Sequence, residues 1–381
     1  MIRYFFIIFL LAIKAITAPL NVSHEVINQS LLEYSSIFVD SNTSIEYNQI
    51  KKIQSKFEQI DAKYIALGYS SHQTAWLTFE LNNTTEQDIK RFLHIDNPFL
   101  DNVTIYDEHG EIGEIGEFFR QPFDGLIEFY YPLALKPNEL KTYYIKVSSD
   151  NDDISFHMTL ESSKIMWQNA IKKQLILTIF FVIIFTLAIY NIFLFLFIKQ
   201  KVYIYLAMFL LFTIFNGISY TGMIILPMGY LGASTDLIYQ WCTFDAFFGV
   251  YYTVFTAIFL TLFARKFMNI GRFKKIDFIF KLLLLTICIT AIGNSHADYL
   301  LGSSMIGMLL IMSYANIVAV YLFIKKEENS FYFLLGTTFG TVGIMLFVLY
   351  HAAIFIPKGF HYWYFYESSV TLQALLFSIV L

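Results

Sequence analysis

The residues best suited to chemistry stand near the ends of long apolar runs. His296, Asp298, His351, His361 and Glu367, with Asp245, are imidazoles and carboxylates of the kind that bind zinc. A seven-span intramembrane metal-dependent hydrolase would need such a set. No two of them have the i, i+4 spacing that puts two ligands on one helical face. The competing reading is a row of polar residues around a water-exposed mouth. The chain has no P-loop, no GxSxG, no HExxH and no paired carboxylates in a catalytic context. It offers no sharp catalytic constellation, and no metal and no cofactor are expected.

Two further sets suit recognition rather than catalysis. Trp76, Phe99, Tyr130 and Tyr131 can stack on a sugar ring, and Asp96, Asn97 and Asn102 can hydrogen-bond it. The alternative for the aromatics is a place in the core. Asn216, Asp245, Glu367 and Gln373 are polar residues inside apolar runs, where they are costly and tend to face a bundle interior. Asp245 has candidate partners in Asn216, Ser219 and Tyr220, and in Tyr366 and Ser369. These four are candidates for a transmembrane polar switch, with simple hydrogen bonding as the alternative. Gly336, Gly340 and Gly343 form a small-residue stripe that lets another helix approach closely.

The elements that must position these groups follow from composition and periodicity. Of 381 residues 56% are hydrophobic and only 15% charged, against about 25% charged in soluble domains, so much of the chain faces lipid. The net charge of −4 gives no nucleic-acid signal. Both cysteines, Cys242 and Cys288, lie in apolar runs, which leaves the N-terminal part no disulfide framework.

Residues 1–18 read as a signal peptide, with Arg3 before the apolar run Tyr4 to Ile13. Residues 19–170 read as an all-β sandwich outside the cytoplasm. Ala75, Leu77, Phe79 and Leu81 alternate with Trp76, Thr78 and Glu80. The same period recurs at Leu93 and Ile95, at Val103 and Ile105, at Tyr143, Ile145 and Val147, and at Ile154, Phe156, Met158 and Leu160. One helix is expected over Asn42 to Ala62, with Thr43 and Glu46 at capping-box spacing.

Residues 171–381 read as an all-α seven-helix transmembrane bundle, with spans near 174–198, 202–226, 239–263, 277–293, 299–324, 331–355 and 361–381. The hinge Lys199-Gln200-Lys201 makes the first two antiparallel neighbours. Lys199, Lys201, Arg265, Lys266, Arg272, Lys274, Lys275, Lys325 and Lys326 fall in alternate connections, and the opposite ones hold only Lys358. That charge pattern puts the sandwich outside. Lys172 and Lys173, on the outer flank of span one, break it locally. No span contains a mid-membrane proline, as the broken helices of a transporter would suggest. Span seven ends still apolar at Phe377 to Leu381, so the native polypeptide is expected to continue into an output domain. A stand-alone receptor signalling through a separate partner is the competing account.

These residues resemble the bacterial seven-transmembrane receptors with diverse intracellular signalling modules. The stretches that carry the likeness are YNIFLFLFIKQKVYIYLAMFLLFTIFNGISYTG at 190–222, ARKFMNI at 264–270, YFLLGTTFGTVGIMLFVLY at 332–350 and LQALLFSIVL at 372–381. TAWLTFELNN at 74–83 and FLHIDNPFLDNVTIY at 92–106 are similar to the family's second type of extracellular sensor domain. The resemblance implies a jelly-roll-like sandwich that senses a small ligand of carbohydrate type or similar. It implies a receptor, not an enzyme: a multi-pass protein of the bacterial inner membrane whose helices pass a change to a cytoplasmic histidine kinase or diguanylate cyclase, in cis or in trans. It admits a homodimer. Gln373 stands where members often carry Glu, so no carboxylate role carries over to it.

Overall fold

The computed structural model describes residues 18–25, 27–62, 64–69, 73–117, 124–149, 153–293, 301–327, 329–351 and 362–381. The expected leader segment, all but its last residue, lies outside these, as do His296, Asp298 and His361.

The N-terminal part is a two-sheet sandwich. Its larger sheet runs β4 (Glu58–Gln59), β3 (Ser35–Asp40), β6 (Thr74–Asn83), β11 (Leu140–Ser148), β8 (Asn102–Asp107) and β9 (Gly110–Ile115), with β1 (Leu20–Val22) parallel to β6. The smaller sheet runs β10 (Phe129–Leu135), β7 (Ile89–Ile95), β13 (Met158–Glu161) and β2 (Asn28–Ser30), all antiparallel. A third pair joins β5 (Ile65–Tyr69) to β12 (Asp153–Phe156).

The period-two alternation decides which residues meet between the sheets. Ala75, Leu77, Phe79 and Leu81 face Leu93, Ile95, Phe129, Leu133, Met158 and Leu160 in one core. Trp76 points the other way, into a separate cluster with Ile50, Phe57 and Tyr144. The apolar run 154–160 divides between two sheets. At the break, the His157 backbone N–H donates to Asp96 Oδ1 at 2.7 Å.

The helix expected over 42–62 is cut short. Only α1 (Tyr47–Ile50) is α-helical. A 3-10 stretch, Lys51–Lys56, follows, with Ile53 off helical geometry, and then β4 pairs with β3. The capping box is present but shifted, with Glu46 as N-cap and Gln49 as its partner. Tertiary packing explains the change. Ile50 and Phe57 must both reach the sheet face over Trp76, and strand pairing at Glu58 competes with further helix.

Among the described residues seven long helices follow: α2 (Ser163–Ile198), α3 (Lys201–Tyr220), α5 (Thr235–Phe267), α6 (Lys274–Gly293), α7 (Leu301–Ile324), α8 (Ser330–His351) and α9 (Tyr362–Val380). The short α4 (Ile225–Tyr230) lies between α3 and α5. Among the described residues, α2, α3, α8 and the segments Phe247–Phe267 and Ile306–Ile324 are long and apolar enough to cross a membrane. α6 carries Lys274, Lys275, Asp277 and Lys281 in its first turns. Asp277 is buried and takes Arg265 and Lys281 as partners.

α2 starts eleven residues before the expected span. The boundary expected at 170/171 therefore falls inside a helix, because β13 passes into α2 through Ser162 alone. α3 stops six residues before the expected 226. Gly222, at φ +70°, turns the chain there and lies against Pro98 of the sandwich. At the hinge, Lys199 takes a left-handed conformation that closes α2 and lets α3 return antiparallel.

Candidate functional site

The sandwich meets the bundle through the outer face of its smaller sheet. Strand register lines up Tyr130, His94, Thr159 and Ser30 across the four strands, with Glu161 two residues beyond Thr159 on the same face. Glu128 immediately precedes β10. The first turns of α2 cover this face and supply Asn169 and Lys173.

The result is a buried ionic cluster. Lys173 Nζ pairs with Glu128 Oε1, and their side chains are 7% and 5% exposed. His94 Nε2 lies 3.1 Å from Glu128 Oε2. His94 Nδ1 lies 3.2 Å from Thr159 Oγ1 and 3.5 Å from Glu161 Oε1. Asn169 Nδ2 donates to the same Glu161 oxygen at 3.0 Å. The Tyr130 ring stacks on the imidazole, with centroids 4.3 Å apart.

Burial alone would discharge these groups, but their mutual charges prevail. Burial presses His94 down, yet Glu128 and Glu161 more than offset it and hold it at about 9. Burial pushes Glu128 up, while Lys173 and His94 outweigh it and keep the carboxyl well below the usual range. Burial, with Glu128 and Glu161 close by, raises the Tyr130 hydroxyl far above its ordinary value. At neutral pH a protonated His94 faces the Glu128 carboxylate. A protonated imidazole donates from both nitrogens, as the contacts on its two sides require.

Apolar and backbone contacts extend the joint. Ile127 enters the bundle core and Phe99 packs against it. Gln174 Nε2 donates to the Gly125 carbonyl at 2.7 Å, and the Tyr64 and Tyr350 rings lie 5.2 Å apart.

The seven residues expected to bind ligand fall in separate places. Tyr130 is in the cluster. Asp96, Asn97 and Phe99 form the loop beside it, where Asn97 Nδ2 donates to the Ser155 carbonyl at 2.9 Å and its Oδ1 accepts the Phe99 N–H at 2.9 Å. Trp76 is fully buried, on the far face of the larger sheet. Asn102 hydrogen-bonds Glu114 and Thr104. Tyr131 reaches the Ile112 carbonyl and fills the space over Gly113.

Within the bundle, Asp245 faces α3, where Ser219 Oγ donates to its Oδ2 at 2.7 Å. Asn216 Oδ1 accepts from Thr253 at 3.2 Å. Glu367 lies against Gly217, and Gln373 against Gly340. These four groups line helix seams, three of them along α3 between Asn216 and Ser219. Among the described residues no three His, Cys, Asp or Glu side chains gather as a metal would require.

Sequence reasoning missed His94, Glu128, Thr159 and Glu161. The one signal for the cluster was Lys173, a lysine on the wrong side of the charge pattern, which Glu128 accounts for.

An outer sandwich locked by buried charges onto a bundle of membrane-crossing helices defines a membrane receptor with an extracellular sensor. The chain belongs to the 7TM diverse intracellular signalling family: that model matches residues 173–381, and the 7TMR-DISM extracellular 2 model matches residues 32–162. Comparison with curated proteins gave no match.

Proposed function

We propose that this chain is a signal-transducing receptor of the bacterial inner membrane. Its sandwich senses a small ligand of carbohydrate type, and its helices pass the change to a cytoplasmic output module in cis or in trans. A histidine kinase or a diguanylate cyclase fits that role. The observation that carries the reading is the unbroken course of α2. It begins at the last sandwich strand, holds Lys173 in the ionic cluster, and reaches Asn191, whose Nδ2 donates to Ser378 Oγ on α9 at 3.1 Å. Those two contacts are eighteen residues apart, about 27 Å along the helix. A ligand that reorders Asp96, Asn97, Phe99 or Tyr130 acts where this lever starts. It can shift the helices only as far as its affinities for the two packings differ.

A spin label at the inner end of α9, in the full chain in nanodiscs, tests the coupling without a known ligand. Lys173→Met should change the label's mobility as Asn191→Leu does. An inner end indifferent to Lys173→Met would refute the transmission reading. A thermal-shift screen of mono- and oligosaccharides addresses the ligand class separately.

A further inference from the structure

The buried side of α9 divides into two ridges. Tyr366, Val370, Gln373 and Phe377 lie along one, towards the α8 glycines. Glu367, Thr371, Ala374 and Ser378 lie along the other, at the spacing of a single helical face. This second ridge is turned to α2 and α3. A Cβ on Gly217 would stand 3.0 Å from Glu367 Oε1 and 2.6 Å from Phe181 Cε1. At the inner end, Ser378 meets Asn191.

Glu367 is 1% exposed, and its Oε1 takes no hydrogen bond among the described residues. Thr371, 5% exposed and one turn further in on the same ridge, has an Oγ1 that is likewise without a partner. Among the described residues no protein cation is at hand. Residues 174–198 of α2, 202–220 of α3 and 330–350 of α8 contain no Lys, Arg or His. Among the described residues, Tyr366 is a titratable neighbour of Glu367, and Tyr220 of α3 interacts in turn with Tyr366. Asp245 is held by Ser219, on the opposite face of α3 from Gly217. Lys173 lies two turns further out on α2 and is engaged by Glu128. An isolated carboxylate at this depth is costly, and a bound positive charge removes that cost.

We propose that Glu367 and Thr371 form a site for a small monovalent cation, a proton or Na⁺, in the outer half of the bundle. The carboxylate supplies the charge and the threonine hydroxyl a second oxygen. Gly217, having no side chain, lets the carboxylate lie against α3. Occupancy draws the α9 ridge onto α2 and α3, the seam that also carries the Asn191–Ser378 contact.

The test is thermal unfolding of the full chain in nanodiscs, followed by intrinsic fluorescence, for wild type, Glu367→Gln and Thr371→Val. Each is measured at pH 6 and pH 8, in NaCl and in choline chloride of equal ionic strength. If Na⁺ is the ligand, exchanging choline for Na⁺ at pH 8 raises the wild-type midpoint by about 2–4 °C. Glu367→Gln abolishes that rise and Thr371→Val reduces it. If the proton is the ligand, Na⁺ has no effect, and the wild-type midpoint in choline falls between pH 6 and pH 8 by more than that of Glu367→Gln. Subtracting the Glu367→Gln response removes the contribution of His94. Identical responses of wild type and Glu367→Gln in both arms overturn the proposal. Should Glu367→Gln not fold, a Thr371→Val protein that matches wild type in both arms overturns it as well.

Discussion

Replacing Lys173 by methionine removes one charge from the joint while keeping most of the side chain's apolar length. Lys173 and Glu128 are both more than nine-tenths buried, so water screens their attraction little. Deleting one partner of a buried pair costs about 3–5 kcal/mol, mainly because the other charge is left behind. His94 remains 3.1 Å from Glu128 and takes up part of that burden, which places the expected cost near the lower end, about 3 kcal/mol. Glu128→Gln should cost a similar amount by stranding Lys173. The double variant strands neither, so its cost should fall short of the sum by about 1–3 kcal/mol. Hydrogen exchange at the amides of β10 and the first two turns of α2 reads the opening free energy of this region directly. Single-variant costs that add to within about 0.5 kcal/mol would show that the two groups do not act as a pair.

The cluster also gives the joint a pH profile. His94 rises from 6.5 to about 9 on folding, so its contribution is complete below pH 6.5 and is lost as the pH rises through about 9. Glu128 is held low, so its contribution is complete above its ordinary 4.5 and is lost only in acid. Hydrogen-exchange protection of the joint should peak between pH 4.5 and 6.5, and His94→Asn should remove the alkaline decline. In the bundle, a Cβ on Gly343 would stand 2.6 Å from Ser369 Cβ. Gly343→Ala should therefore destabilise the α8–α9 contact by about 1–3 kcal/mol in thermal unfolding, whereas Gly271→Ala, with open space around it, should be near neutral. For topology, a cysteine introduced at Gly271, with Cys242 and Cys288 replaced, should resist membrane-impermeant thiol reagents in intact cells, and ready labelling would invert the orientation.

What the sequence reveals here depends on how local the cause is. The alternation through β6 states which way Leu77 and Trp76 point, because strand period alone decides it. The lysines around Gln200 mark a hinge, because two apolar runs need a polar turn between them. The ionic cluster is different in kind. His94, Thr159 and Glu161 occupy outward positions, which for an ordinary sandwich are solvated. Only the register of three strands and the placement of α2 turn that face inward. The expected 42–62 helix failed for the same reason: its apolar face is real, but the sheet it covers decides how much of it stays helical. Asp245 was legible because a carboxylate inside an apolar run needs a partner, and Ser219 stands within a short reach on the preceding span.

The single residue between β13 and α2 bears on how a chimera of this receptor could be built. A sensor domain joined to its bundle by a loose tether can be exchanged for another with little regard to what lies beneath it. Here the last strand and the first span share Ser162, and the sandwich presents Glu128 and Glu161 to a lysine and an asparagine that belong to the helix. A foreign sandwich grafted onto this bundle would leave Lys173 buried without its anion. This bundle exchanged beneath the sandwich would leave Glu128 short of a cation. A working chimera therefore has to keep the sandwich together with the first three turns of α2 and be cut below Lys173.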